Sequence, residues 1–118
     1  MNYKNLEDKL EFQNFRYYSE VIKKNLNVKE YFDILRDCYY DDSNIRKYYY
    51  SLVEEYQRSP KKNKDLDLKI FELYKSMNYL TNSKNKKSDI LNYNEKIQKF
   101  VIEYLTIKKE IEDDRRKN

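Results

Sequence analysis

A 118-residue chain without histidine has few ways to move a proton near neutral pH. Imidazole is the side chain that titrates there unaided, and it is also the commonest transition-metal ligand. The one thiol, Cys38, stands in RDCYYDD, among carboxylates that raise a thiol's pKa. A cysteine nucleophile needs an adjacent base or cation, so Cys38 is expected to be inert. A lone cysteine excludes an internal disulfide and, without His, a zinc site within one chain. The absence of Gly removes the Gly-rich loop that cradles phosphate.

Carboxylates are plentiful, in the pair Glu54-Glu55, in Asp65-x-Asp67 and in the run Glu112 to Asp114. Neighbours on a helix diverge by about 100°, so none of these spacings converges two carboxylates on one point. Asp-x-Asp without the rest of an EF-hand loop does not make a calcium site. The expectation is therefore a non-enzyme with no catalytic, cofactor-binding or metal-binding residues and no cofactor.

What remains is charge interleaved with aromatic rings. The net charge is +4, divided as −1 over residues 1–60 and +5 over residues 61–118. Basic side chains gather in Lys61, Lys62 and Lys64, in Lys84, Lys86 and Lys87, and in Arg115, Arg116 and Lys117. An antiparallel course of the last helices brings the tail back towards Lys61. Lys61, Lys62, Lys64, Arg115 and Arg116 are thus expected to form one basic patch, able to hold phosphates without reading bases. The acidic counterpart is DCYYDD with Asp33, Glu54 and Glu55. There, carboxylates stand in for phosphates and rings for bases, a combination suited to a basic groove.

Fourteen tyrosines look like a nucleic-acid signal, but the composition as a whole tempers that. Asn, Lys, Tyr and Ile, with A/T-rich codons, stand where Ala, Gly and Pro are usual. We read this as a gene from an A/T-rich genome, bacterial or phage, which accounts for part of the Tyr and Lys enrichment.

The elements that position these groups read as helices. Leu, Ile, Val and Phe make up about a quarter of the chain, above the level of roughly 20% needed for a core. Strand folds lean on Gly turns, and there is no Gly. A first helix is expected over about 2–25, with Phe15, Tyr18, Ile22 and Leu26 on its face and a bend near Gln13. A second begins after Asn27, with Glu30 at the reciprocal capping position, and carries Val28, Tyr31, Phe32, Leu35 and Tyr39 to Asp41-Asp42. A third, capped by Ser43, runs over 44–58 and stops at Ser59-Pro60. A fourth follows Asp65 with Leu66, Ile70, Leu73, Met77 and Leu80 in line, widened by Phe71 and Tyr74. Residues 81–88, TNSKNKKS, read as a polar loop. The last helix spans 89 to about 114. Its Ile90, Tyr93, Ile97, Phe100, Tyr104, Ile107 and Ile111 alternate steps of three and four, an unbroken coiled-coil seam. The tail from about 113 to 118 is expected to fray.

Angular position sorts the tyrosines. At about 100° per residue, Ile45, Tyr49, Leu52 and Tyr56 share one face of the third helix. Tyr48 borders that face and Tyr50 lies off it. The same test puts Tyr17 and Tyr40 off their helix faces.

The chain therefore reads as one all-α domain over 1–118, an antiparallel bundle of four to five helices with a long C-terminal helix. The leading functional expectation is a small binding protein of phage or mobile-element type. It would dock on a host complex, for example inhibiting a nucleic-acid-handling defence nuclease, through Tyr17, Tyr40, Asp41, Asp42, Tyr50 and Glu54. The alternatives are a nucleic-acid-binding module or ribonucleoprotein subunit using the basic loops, and an immunity or antitoxin bundle. Self-pairing through the Ile90–Ile111 seam is a further expectation. With no apolar run at MNYKNLEDKL or elsewhere, neither signal peptide nor membrane span is expected, and the cytoplasm is the default location.

Overall fold

A computed structural model describes residues 17–60 and 62–116. They form α1 (residues 17–23), α2 (Val28–Tyr40), α3 (Ser43–Arg58), α4 (Lys64–Leu80), α5 (Ser83–Ser88) and α6 (Ile90–Arg116). There is no strand among the described residues, and the fold is an all-α bundle with a long C-terminal helix. The expected bend near Gln13, with Phe15, lies outside them.

Without glycine, the helix ends are closed by asparagine and lysine. At the end of α1, Asn25 takes φ 55°, in the left-handed region that Gly usually occupies. The Leu26 N–H bonds the Val21 carbonyl and the Asn25 N–H that of Ile22. This pair of bonds is a Schellman motif, and its apolar partners Val21 and Leu26 are both buried. Lys109 Nζ donates to the Asn25 carbonyl at 3.1 Å. Asn27 Oδ1 accepts from the Glu30 N–H at 2.8 Å and starts α2. The reciprocal bond is not made, because Glu30 pairs instead with Lys108 at 2.8 Å. Asn63, not Asp65, caps α4, with Oδ1 accepting from the Leu66 N–H at 2.9 Å. Ser43 is the first residue of α3, and Asp41 Oδ1 accepts its N–H at 3.0 Å. The polar stretch 81–88 contains α5, started by Asn82 Oδ1 on the Lys84 N–H. It buries no residue, so hydrophobic periodicity had nothing to register.

The chain runs back and forth between two ends. At the Tyr40 end, the Tyr39 hydroxyl donates to the Asn94 carbonyl at 3.5 Å, and the Tyr93 hydroxyl donates to the Leu80 carbonyl at 2.5 Å. These contacts place the end of α2, the end of α4 and the start of α6 together. At the Pro60 end, Lys69 pairs with Glu110 at 2.7 Å and Arg115 donates to the Glu55 carbonyl at 3.0 Å. Hence α3 and α6 run from the Tyr40 end to the Pro60 end, and α2 and α4 run back.

The centre of the bundle is α6, whose 27 residues span about 40 Å at 1.5 Å each. It packs on α2, α3, α4 and α5. Tyr93, Ile97, Phe100, Tyr104, Ile107 and Ile111 are all buried, as are Val101, Ile102 and Leu105. This corrects the expected self-pairing: the Ile90–Ile111 seam is consumed by the chain's own helices. Only Ile90, at 38% exposure, stands outside the buried set of seam residues. The described helix continues to Arg116. Arg115 is held there by its bond to Glu55.

Two faces differ from expectation. On α1, Val21 is fully buried whereas Tyr18 and Ile22 are exposed. Leu26 lies beyond the helix, in the Schellman turn, so its burial did not report the helical phase. On α4, Leu66, Leu73, Met77 and Leu80 are buried as expected, but Phe71 and Tyr74 are exposed.

Candidate partner-binding surface

Cys38 offers no chemistry. It is buried at 1% exposure, and burial, followed by the Asp37 charge, pushes its thiol up to about 12. Burial is the larger cause, where the sequence pointed to the neighbouring acids. No group of three or more His, Cys, Asp or Glu is arranged to hold a metal among the described residues. The groove lined by Glu30, Asp33, Tyr48 and Lys108 holds charges already paired: Glu30 with Lys108, and Asp33 with Lys29 at 2.8 Å.

Of the expected basic patch, Lys62, Lys64, Arg115 and Arg116 do come to the Pro60 end, and the Lys61 side chain lies outside the described residues. Their ammonium and guanidinium groups are partly spent, however. Lys62 Nζ donates to the Tyr56 and Ser59 carbonyls and sits over the Tyr56 ring at 4.6 Å. Arg115 donates to the Glu55 carbonyl. Both act as cationic caps on the final turn of α3, where the helix presents unpaired carbonyls and partial negative charge. Lys64 and Arg116 are exposed.

The acidic-aromatic set divides three ways. Tyr17 is drawn inward: it packs against the core and donates to Glu95 Oε1 at 2.5 Å. That corrects its expected outward position. With Val21 as the true centre of the α1 face, Tyr17 lies one turn away on the same side. Tyr40, at 91% exposure, is the most exposed of the large hydrophobic side chains among the described residues. It ends α2 and is followed by Asp41 and Asp42 at the α2–α3 corner. The Ser43 backbone N–H, then its hydroxyl, holds the Asp41 carboxyl below the usual carboxylate range, helped by Lys47 and Lys86. Asp41 therefore stays ionised and is oriented by the start of α3. Asp42 is half-buried in the same turn. Tyr50, half exposed, and the exposed Glu54 lie one turn apart on α3. The angular sorting of α3 holds: Ile45, Tyr49, Leu52 and Tyr56 are buried and Tyr48 is intermediate.

Sequence reasoning missed the α4 side of that surface. Tyr49 contacts both Tyr50, at 5.2 Å between ring centres, and Tyr74, at 5.7 Å. Phe71 lies one turn before Tyr74 and is 54% exposed. Tyr50, Tyr74 and Phe71 thus form one aromatic strip along the outer side of α3 and α4. The signal was available: Phe71 lies about 160° from Leu73 at 100° per residue, too far to widen a core face.

Comparison with protein-family models, with curated proteins and with solved structures returns no match for this chain. No helix of the described residues is long and apolar enough to cross a membrane.

Proposed function

We propose that this chain is a non-enzymatic binding protein that docks on a macromolecular partner through the Tyr40 corner. The observation that carries the reading is Tyr40 itself, 91% exposed at the junction of two packed helices and followed by Asp41 and Asp42. Tyrosine is enriched at interface anchors because it contributes a large contact area at low conformational cost. The helices on both sides fix the backbone that carries Tyr40, and the Ser43 N–H orients the Asp41 carboxylate before binding, which lowers the ordering cost of association.

The partner class follows from the corner's chemistry. An ionised carboxylate beside an aromatic ring suits a cationic groove of the kind that holds nucleic acid. The finer reading is an inhibitor of a host nucleic-acid-handling complex, encoded by a phage or mobile element. Its support is the A/T-rich coding composition together with this acidic-aromatic corner. Affinity capture from the native host, with nuclease-treated controls, tests it. A captured complex should survive nuclease and be displaced by added polyanion at moderate salt. Capture that disappears with nuclease would indicate a nucleic-acid bridge and sink the reading.

A further inference from the structure

The aromatic strip on α3 and α4 carries charge of opposite sign at its two ends. On α3, Arg46, Tyr50 and Glu54 follow at intervals of four residues and share one line on the helix. On α4, Asp67, Phe71 and Lys75 do the same. Two contacts fix the register of the helices: Tyr49 against Tyr74, and the Tyr56 hydroxyl on Asp67 at 2.6 Å. In that register Arg46 and Lys75 both lie towards the Tyr40 end, Tyr50 and Phe71 in the middle, and Glu54 and Asp67 towards the Pro60 end. The face thus reads basic, aromatic, acidic along both helices. Arg46 and Glu54 are exposed and have no ion-pair partner among the described residues. Lys75 pairs with Glu72 at 3.2 Å and lies over the Phe71 ring at 5.0 Å. Arg58 and Lys64 stand about one turn further out at the acidic end.

We infer that this face pairs with a second copy of itself. An in-plane two-fold axis that crosses the helices at Tyr50 lays α3 antiparallel on α3 of the second copy. Arg46 then meets Glu54 of the second copy and Lys75 meets its Asp67, each contact occurring twice, as an isologous interface requires. Tyr50 and Phe71 lie near the axis, where anchor residues concentrate. The other in-plane two-fold, parallel to the helices, sets Arg46 on Lys75 and is disfavoured by like charge. The pairing face excludes the Tyr40 corner, and its antiparallel arrangement leaves two such corners at opposite ends of the dimer.

Sedimentation equilibrium of the full chain tests this. Wild type should show a reversible monomer–dimer equilibrium that weakens as salt rises. Tyr50→Ala and Phe71→Ala should each weaken it about tenfold or more, the loss of a central anchor, with helicity unchanged by circular dichroism. Arg46→Glu alone and Glu54→Arg alone should weaken it, and Arg46→Glu/Glu54→Arg together should restore it, because the two-fold makes each the other's partner. A chain that stays monomeric up to its solubility limit overturns the inference. So does a dimer that survives Tyr50→Ala and Phe71→Ala, or a double variant no better than the single ones.

Discussion

The Tyr56 hydroxyl donates to the Asp67 carboxylate at 2.6 Å and receives the Asn63 N–H at 3.1 Å. One phenol thus clamps the last turn of α3 to the first turn of α4 across the Ser59-Pro60 break. Hydrogen bonds to charged acceptors contribute about 1.5–3 kcal/mol, and Asp67 is exposed enough to regain water when the bond is lost. Tyr56→Phe is therefore expected to cost about 1–2 kcal/mol in urea unfolding, at an unchanged m-value.

Two other buried phenols should respond in opposite directions. Tyr93 donates to the Leu80 carbonyl, whereas the buried Tyr31 hydroxyl has no hydrogen-bond partner among the described residues. An unsatisfied buried hydroxyl carries its full desolvation cost. Tyr31→Phe is expected to be neutral or stabilising by about 1 kcal/mol, and Tyr93→Phe destabilising by about 1 kcal/mol. Equal losses in thermal melts would mean that Tyr31 is bonded after all.

The three consecutive tyrosines of α3 separate by burial. Tyr49 is 7% exposed and Tyr50 is 50% exposed. Tyr49→Ala should cost about 3 kcal/mol, the range of large core truncations, and Tyr50→Ala about 0.5 kcal/mol or less. Chemical denaturation of the two variants side by side checks the helical phase.

Alkali should unfold this protein more readily than acid. Burial raises the pKa of Tyr31, Tyr39 and Tyr93 above the ordinary 10.0. A group whose folded pKa is raised contributes stability that is complete below its unfolded pKa and disappears as pH climbs towards the folded one. The fold should therefore weaken above about pH 10, with tyrosinate absorbance rising in step with the loss of helical signal. A smooth tyrosine titration that leaves helicity intact would contradict the burial. On the acid side, the lowered Asp41 contributes stability present above its ordinary 3.8 and lost as pH falls below that. Asp41→Asn should flatten that limb.

Legibility in the sequence tracked how one-sided each helix is. On α3 a single face meets the core, so 100° steps from Ile45 sorted every tyrosine. On α6 the seam was legible, but a helix enclosed on several sides reads the same as one half of a coiled coil. Only the packing of α2, α3 and α4 around it distinguishes them. On α1, Leu26 imitated a helical position from inside a turn, shifting the face by one residue and turning Tyr17 outward. At the basic end, spacing pointed to Lys62 and Arg115 as members of one cationic patch. It could not reveal that Lys62 and Arg115 would be used to cap α3. Phe71 was misplaced because its type suggests core, although its angle placed it outside.

Docking through Tyr40 is measured directly by parallel affinity capture from the native host with wild-type protein and Tyr40→Ala, both nuclease-treated. Tyr40 contributes almost nothing to the packed interior, so the variant should keep wild-type helicity and melting temperature. Wild type should retain a defined partner that is lost, or reduced about tenfold or more, with Tyr40→Ala, as removal of an interface anchor requires. The same proteins captured in the same amounts by both would contradict docking through Tyr40.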